Sequence, residues 1–298
     1  MIHHFRCPLC KNDEIIPLLR CTDHLVSRNE YRLFRCTDCS FVFTQDYPEE
    51  SEIGKYYESD EYISHTDSDK TLFEKLYQLV RKIMFSWKRK LIINTCQLSK
   101  GTLLDIGSGT GHFIAAMEEA GWSVKGIEIN EKARESSVSR FDLEVLSQEQ
   151  LSSLQTSSFD CITLWHVMEH LHEPNKYASE IVRLLKPGGT CIIALPNCNS
   201  FDAKYYREYW AAYDVPRHLW HFTPKAFGLF AEIAGLKIKI IRRLPPDVFY
   251  ISVLSEKNKG SRFSFCLGIL KGIVFSVRSL FSITGSSSLI YCLRKETD

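Results

Sequence analysis

The sequence carries almost no net charge: 37 Lys and Arg stand against 36 Asp and Glu in 298 residues, a formal +1. That balance excludes the strong global field that draws a chain onto nucleic acid. No apolar run reaches about 18 residues without a charge, which excludes a helix that spans a bilayer. The first residues, MIHHFRCPLC, lack the apolar core of a secretory signal, so a cytoplasmic location is expected. No internal repeat and no low-complexity tract is present, which excludes solenoid architectures.

Charge is small in total but uneven along the chain. Residues 101–236 hold 11 Lys/Arg against 17 Asp/Glu, and residues from 237 onward hold 11 against 4. The basic end suits an acidic substrate or a lipid headgroup, or is a solvated basic face. Apolar residues make up 44% and charged residues 24%, the balance of a globular chain able to bury a full core.

Eleven cysteines in an intracellular chain argue against a disulfide framework. Four form two pairs, Cys7-Pro-Leu-Cys10 and Cys36-Thr-Asp-Cys39. Two such knuckles brought together give a tetrahedral S4 site suited to structural Zn²⁺, with no open coordination position. A redox pair or free thiols are the alternatives. The segment 1–45 is too short to build much core, so a metal crosslink is physically useful there. The other cysteines, Cys21 included, read as core residues.

Three stretches differ in character. Residues 1–45 read as a zinc ribbon, with β-rich runs at Tyr31–Phe34 and Phe41–Thr44. Residues 46–100 read as a helical linker or lid. There Leu72, Phe73, Leu76, Leu79, Val80, Ile83 and Met84 recur at helical spacing, flanked by Arg81, Lys82, Lys88, Arg89 and Lys90. Residues 101–298 alternate strand and helix. The strands are TLLDIG, WSVKGIEIN, FDLEVL, FDCITLWHV and TCIIALPN. The helices between include HFIAAMEEAG, stopped by Gly121, and YASEIVRLLKPGG, stopped by its Pro-Gly-Gly. This order predicts a parallel sheet with helices on both faces. A further helix near Lys225–Ala234, a strand at Leu236–Arg242, an apolar helical insertion at about 248–284 and a last strand SLIYCLRK complete the chain.

The segment Asp105-Ile-Gly107-Ser-Gly109-Thr-Gly111 follows a strand and opens a helix. Glycines there allow a tight turn and close approach of a ligand, and the helix N-terminus offers free N–H groups. The spacing is GxGxG, not the GxGxxG of dinucleotide folds. Asp105 at the strand edge suits an ammonium-bearing ligand and would repel a pyrophosphate. Glu128 ends the second strand, where a carboxylate can accept from both ribose hydroxyls. The plainer alternative is a structural glycine turn with surface acids.

These segments resemble the class I S-adenosylmethionine (SAM)-dependent methyltransferases. LLDIGSGTGHF is similar to their first motif and GIEIN to the acidic motif after it. SFDCITLWHVMEHLHEP and LLKPGGTCIIALPN resemble the motifs of their fourth and fifth strands. The resemblance covers roughly 100–245. It implies a Rossmann-like, doubly wound α/β fold whose seven-stranded sheet has its last strand antiparallel, a place SLIYCLRK would fill. It implies that Asp105, Gly107, Ser108, Gly109 and Gly111 hold the methionine moiety of SAM and that Glu128 holds the ribose. It adds Ile129, Gln148 and Trp165 to the cofactor set. Relatives often carry an acid or a Gly-Asp pair after the third strand. This chain reads Val145-Leu-Ser-Gln-Glu-Gln there, which leaves Gln148, Glu149 or a backbone N–H beside the adenine.

His166, Glu169 and His170 follow the fourth strand, whose carboxyl end faces the cleft. His166 and His170 are therefore candidate bases for a hydroxyl acceptor, or parts of a structural turn. The spacing is not HExxH on a helix, so metal is not expected there. Downstream, Asp214-Val-Pro-Arg217-His218-Leu-Trp-His221 resembles the PRHL stretch of a methyltransferase subfamily. Arg217 and His218 either touch the acceptor or anchor their loop, and His218 is a third candidate catalytic residue. Thr223-Pro224 is an N-cap signature.

A ribbon joined to this catalytic domain resembles sugar C-methyltransferases, so methyl transfer to an oxygen or carbon of a small-molecule or glycan acceptor is expected. Methylation of a membrane-associated lipid such as a prenylated quinone is the alternative, motivated by the apolar, basic stretch 261–281 and implying peripheral membrane contact. That stretch is otherwise a helix pair covering the sheet. RNA methylation is a further alternative that the charge balance disfavours. The tetrapeptide NPPY used on flipped bases is also absent: Trp165-His-Val-Met stands in that place.

Overall fold

The computed structural model describes residues 1–57 and 72–295, with the side chains of 72–82 excepted. Leu72, Phe73, Leu76, Leu79, Val80, Arg81 and Lys82 of the expected stripe therefore have side chains outside the described residues, although their backbone is helical.

The N-terminal strands are β1 (Ile15–Thr22), β2 (Glu30–Cys36) and β3 (Val42–Gln45). Helices α1 (Glu50–Ile53) and α2 (Leu72–Cys96) lead into β4 (Thr102–Ile106), α3 (His112–Glu119), β5 (Ser123–Ile127), α4 (Glu131–Phe141) and β6 (Val145–Leu146). Then come β7 (Phe159–Trp165), α5 (Pro174–Leu184), β8 (Leu185–Pro196), α6 (Phe201–Tyr206), β9 (Trp220–His221) and α7 (Pro224–Ile233). The chain closes with β10 (Leu236–Arg243), α8 (Asp247–Asn258), α9 (Ser264–Leu280) and β11 (Ser288–Lys295).

Seven strands form one sheet in the order β10-β11-β8-β7-β4-β5-β6. The pairs around β4, β5 and β7 are parallel, and β11 runs antiparallel to both neighbours. SLIYCLRK fills the antiparallel place. Its burial explains why: Leu289, Ile290, Tyr291, Cys292 and Leu293 are all buried, as a strand covered on both faces requires. One sheet face packs Leu104, Ile162 and Leu195 against α5 and α7, while the other packs Leu103, Cys161 and Ile192 against Phe113 and against Leu91 and Ile92 of α2. Helix α2 is thus part of the catalytic core.

Local chemistry sets the helix ends. After α3, Gly121 N–H reaches Glu118 O and Trp122 N–H reaches Met117 O, a Schellman stop at the glycine. Thr223 Oγ1 caps α7 by accepting from Ala226 N at 3.1 Å, with Pro224 at the first helical position. One expected boundary is different. Helix α5 ends at Leu184, and Pro187-Gly188-Gly189 lies inside β8, where the β7 ladder shifts register between Phe159 and Cys161. A bulge, not a helix cap, uses those glycines.

The ribbon strands form a second sheet, β1-β2-β3-β9, completed by Trp220–His221 from the catalytic part of the chain. Val42 pairs with His221 and Phe43 with Trp220. Phe41 and Phe43 share a core with Trp220, Phe222 and the sheet residues Leu104 and Ile162. The segment 1–45 is therefore built onto the catalytic core by backbone pairing and burial.

Candidate functional site

The turn after β4 takes the shape its glycines permit. Gly107, Gly109 and Gly111 have φ of 77°, 55° and 79°, a region costly to other residues. A Cβ on Gly107 would fall 2.3 Å from Val167 Cγ2, so the turn lies directly against the histidine segment. At Gly109 a Cβ would meet nothing within 4 Å, so this point of the turn faces open space. Ser137 Oγ of α4 donates to Gly109 O at 3.2 Å and fixes the turn from behind.

Two carboxylates flank the turn. Asp105 is buried and accepts from Thr163 Oγ1 at 2.5 Å. Burial outweighs that hydrogen bond and the nearby Lys88 and raises the Asp105 carboxyl to about 7. Glu128 accepts from Gly109 N at 2.8 Å through Oε2 and from Asn130 N at 2.9 Å through Oε1. Each oxygen keeps a further lone pair for a hydroxyl. Among the described residues, Ser108 Oγ in the same turn is buried without a partner. Acceptors for a cation and a diol, an orphaned hydroxyl and an open glycine face together fit a nucleoside with a charged amino-acid arm.

Sequence reasoning missed Lys88. Its ammonium lies 4.0 Å from the centroid of the Trp165 ring and 5.3 Å from that of Phe113. Burial lowers it to about 8, against the upward pull of Asp105 and Asp247. It was legible only as one of several flanking cations, because its pairing with Trp165 spans 77 positions. Of the other expected cofactor residues, Ile129 is exposed beside Glu128. Gln148 is engaged twice, donating to Glu50 Oε1 and accepting from Tyr177 OH, both at 3.1 Å.

The histidines divide into two environments. His166 has Nε2 2.8 Å from Asp247 Oδ2 and Nδ1 3.4 Å from Glu169 Oε1. Burial would lower its pKa, but the two carboxylates outweigh burial and hold it at about 10. At neutral pH it is an imidazolium. His170 is the opposite case: burial and the neighbouring His218 lower it to about 4, so it is neutral. The two rings meet edge to face, 4.5 Å apart. His170 Nδ1 lies 3.1 Å from Arg217 O, and His218 Nδ1 lies 2.8 Å from Ala212 O. A carbonyl only accepts, so Nδ1 carries a proton in both rings, and in the neutral His170 ring Nε2 is left as the proton acceptor. Tyr57 OH sits 3.0 Å from His170 Nδ1.

Arg217 anchors its loop. It is 1% exposed and pairs with Asp214 at 2.7 Å and with Asp23 of the ribbon at 2.9 Å. Burial in such a place is tolerable only with both carboxylates present. Asp23 is held down at about 2: burial raises it, and the Ser27 N–H and Arg217 more than compensate.

The four ribbon cysteines converge. Cys7 Sγ lies 3.6 Å from Cys39 Sγ and Cys10 Sγ 3.5 Å from Cys36 Sγ, with all four sulfurs within 4.8 Å of one another. Sulfurs at about 2.3 Å from a tetrahedral ion stand about 3.8 Å apart, whereas a disulfide needs about 2.05 Å. The set fits an ion and not two disulfides.

Comparison with known proteins agrees with this geometry. A family described as "Methyltransferase domain" matches residues 74–239. The ubiquinone biosynthesis O-methyltransferase of Ralstonia nicotianae is 30% identical over 186 residues, covering 58% of this chain and 76% of that protein. The protein of the same name from Thiobacillus denitrificans is 31% identical over 105 residues, so the chain spans only 45% of its length. A SAM-dependent methyltransferase structure from Archaeoglobus fulgidus aligns at a TM-score of 0.50 and 20% identity, over 76% of this chain and all of that one. At that identity the likeness is one of fold. The ribbon and the α8–α9 hairpin lie outside the family match.

Proposed function

The chain belongs to the methyltransferase-domain family and is a SAM-dependent methyltransferase, and from that premise we propose that its acceptor is a hydroxyl on a prenylated, quinone-type ring. The observation that carries the acceptor class is the likeness to ubiquinone biosynthesis O-methyltransferases over three quarters of one relative's length. Those names favour the prenylated-quinone alternative over the sugar acceptor expected from the ribbon.

Within this reading, Asp105 and the Gly107–Gly111 turn receive the amino-acid arm of SAM. Glu128 receives the ribose, and Ile129 and Trp165 line the nucleoside. When bound, SAM supplies a methyl group on a positively charged sulfur. The chain's own residues align the acceptor and take its proton. A phenolic hydroxyl has a pKa near 10, so the acceptor oxygen must lose its proton as it bonds to the methyl carbon and the carbon–sulfur bond breaks. His166 is already protonated and serves as a fixed cation beside the developing phenolate. His170 is neutral with Nε2 left to accept, so it is the first choice of base, and His218, whose ring lies 4.5 Å from it, is the second. Cys7, Cys10, Cys36 and Cys39 would hold a structural Zn²⁺ that joins the two ribbon turns.

The test is methyl transfer from labelled SAM to a short-chain prenylated catechol and, in parallel, to a panel of nucleotide sugars. Transfer to the ring hydroxyl is expected. Transfer to a sugar with none to the catechol overturns the acceptor reading. Replacing His170 or His218 with Asn is expected to lower kcat by about 10²-fold for the base, with SAM affinity unchanged.

A further inference from the structure

The α8–α9 hairpin holds its apolar face outward. Among the described residues, 23 large apolar side chains are exposed, and ten of them fall between Phe263 and Ile283. On α9 they form a stripe: Phe263, Leu267, Leu270, Val274, Val277 and Phe281 recur at alternating spacings of four and three. The opposite face is the one used for folding. A Cβ on Gly268 would fall 2.4 Å from Val253 Cα, so α9 lies backbone-close on α8 through its small residues and turns its bulky ones to the outside. A patch of this size on a soluble chain marks an interaction surface.

The charge around the stripe is of one sign. No Asp or Glu occurs from Lys257 to Lys295, while Lys257, Lys259, Arg262, Lys271 and Arg278 lie on the hairpin. Part of that rim is held in place by α6. Lys271 Nζ donates to Tyr205 OH at 2.7 Å, and the Arg278 guanidinium lies 4.3 Å from the centroid of the Phe201 ring. Cations seated at the edge of an apolar stripe are the arrangement by which long basic side chains reach headgroups while their neighbours enter acyl chains. No described helix is long and apolar enough to cross a membrane, so the fitting geometry is a helix lying in the interface.

We propose that the outer face of α9 docks on an anionic lipid surface, with Phe263, Leu270, Val274 and Val277 entering the acyl boundary and Lys259 and Arg262 contacting acidic headgroups. A second copy of the chain is the rival occupant, since the four-and-three spacing also suits helix pairing. Two such faces would bring the like charges of Lys259 and Arg262 on one copy toward those on the other, which opposes pairing. An anionic lipid surface carries the opposite charge across its whole face. This inference rests on the hairpin alone and not on the identity of the methyl acceptor. The hairpin is nevertheless tied to the cleft, because Asp247 at the start of α8 pairs with His166.

The test is flotation of the full chain with vesicles of phosphatidylcholine alone and with three parts in ten of phosphatidylglycerol. The chain is expected to float with the anionic vesicles and to be released by salt. Lys259→Ala/Arg262→Ala is expected to weaken vesicle affinity by about fivefold for each cation removed. Leu270→Glu/Val274→Glu is expected to abolish it, with SAM binding and melting temperature of both variants unchanged. The inference is overturned if the chain stays unbound with both vesicles. It is equally overturned if the glutamate variant converts a dimer to a monomer in light scattering without altering flotation. Should the glutamate variant fail to fold, the surface alanine variant decides the question alone. A chain that floats yet methylates only sugars would reject the acceptor reading and keep the docking surface.

Discussion

His166 Nε2 lies 2.8 Å from Asp247 Oδ2, which joins the end of β7 to the first turn of the α8–α9 hairpin. Because the imidazole stays protonated to about 10 in the fold and only to 6.5 when unfolded, its stabilisation is complete below about pH 6.5. It is lost as pH rises from there through about 10. Asp247→Asn is expected to lower the His166 pKa, read by NMR titration, and to flatten the loss of melting temperature over that window. The stability cost near neutral pH should be about 1–2 kcal/mol, modest because solvent screens a partly exposed pair.

Asp105 has the same pH sense from a different cause, since burial and not a partner raises it. The folded carboxyl keeps its proton to about 7, whereas the unfolded one releases it near 3.8. The fold binds more protons across that window, so stability falls as pH rises from about 4 to about 7. Asp105→Asn, which keeps the Thr163 hydrogen bond, is expected to melt higher than the native chain above pH 7, by roughly 2 kcal/mol. It is also expected to lose SAM affinity about tenfold or more. In the native chain, SAM affinity should rise as pH passes 7.

Gly107→Ala combines a positive φ with a contact of 2.3 Å to Val167. A loss of about 2–3 kcal/mol in chemical denaturation is expected, with SAM binding abolished. Adding Val167→Ala should restore part of the stability, because it removes the clash but not the backbone strain.

The S4 cluster is expected to hold one zinc per chain, measured by elemental mass spectrometry. Cys36→Ser or a strong chelator should lower the melting temperature by about 5 °C or more, since the ribbon strands carry β9 and the Asp23–Arg217 pair. Metal-free protein with an unchanged melting curve would contradict this role.

Much of the catalytic half was legible because its signals are local. The buried run of β4, the glycine turn, the stop at Gly121 and the cap at Thr223 each declare themselves within a few residues. What escaped depends on contacts distant in sequence. Nothing near Trp220–His221 announces that those residues finish a sheet begun at Ile15, since their partners Val42 and Phe43 lie about 180 positions away. The same holds for Lys88 over Trp165 and for Asp247 against His166. The Pro187-Gly188-Gly189 segment of β8 misled for another reason: Pro-Gly-Gly is the signal of a helix end and of a bulge alike. The histidines were visible as a set, but the fold decides the state of His166 by the carboxylates it brings there and that of His170 by burial beside His218.

Calorimetric titration of SAM into the native chain and into Glu128→Ala, the latter removing the proposed ribose acceptor, tests the cofactor site most directly. Saturable one-to-one binding to the native chain is expected, weakened about tenfold or more in the variant under conditions where circular dichroism shows both folded. Equal affinity for both proteins, or no heat from either, would contradict the seating of the nucleoside between Glu128 and the glycine turn.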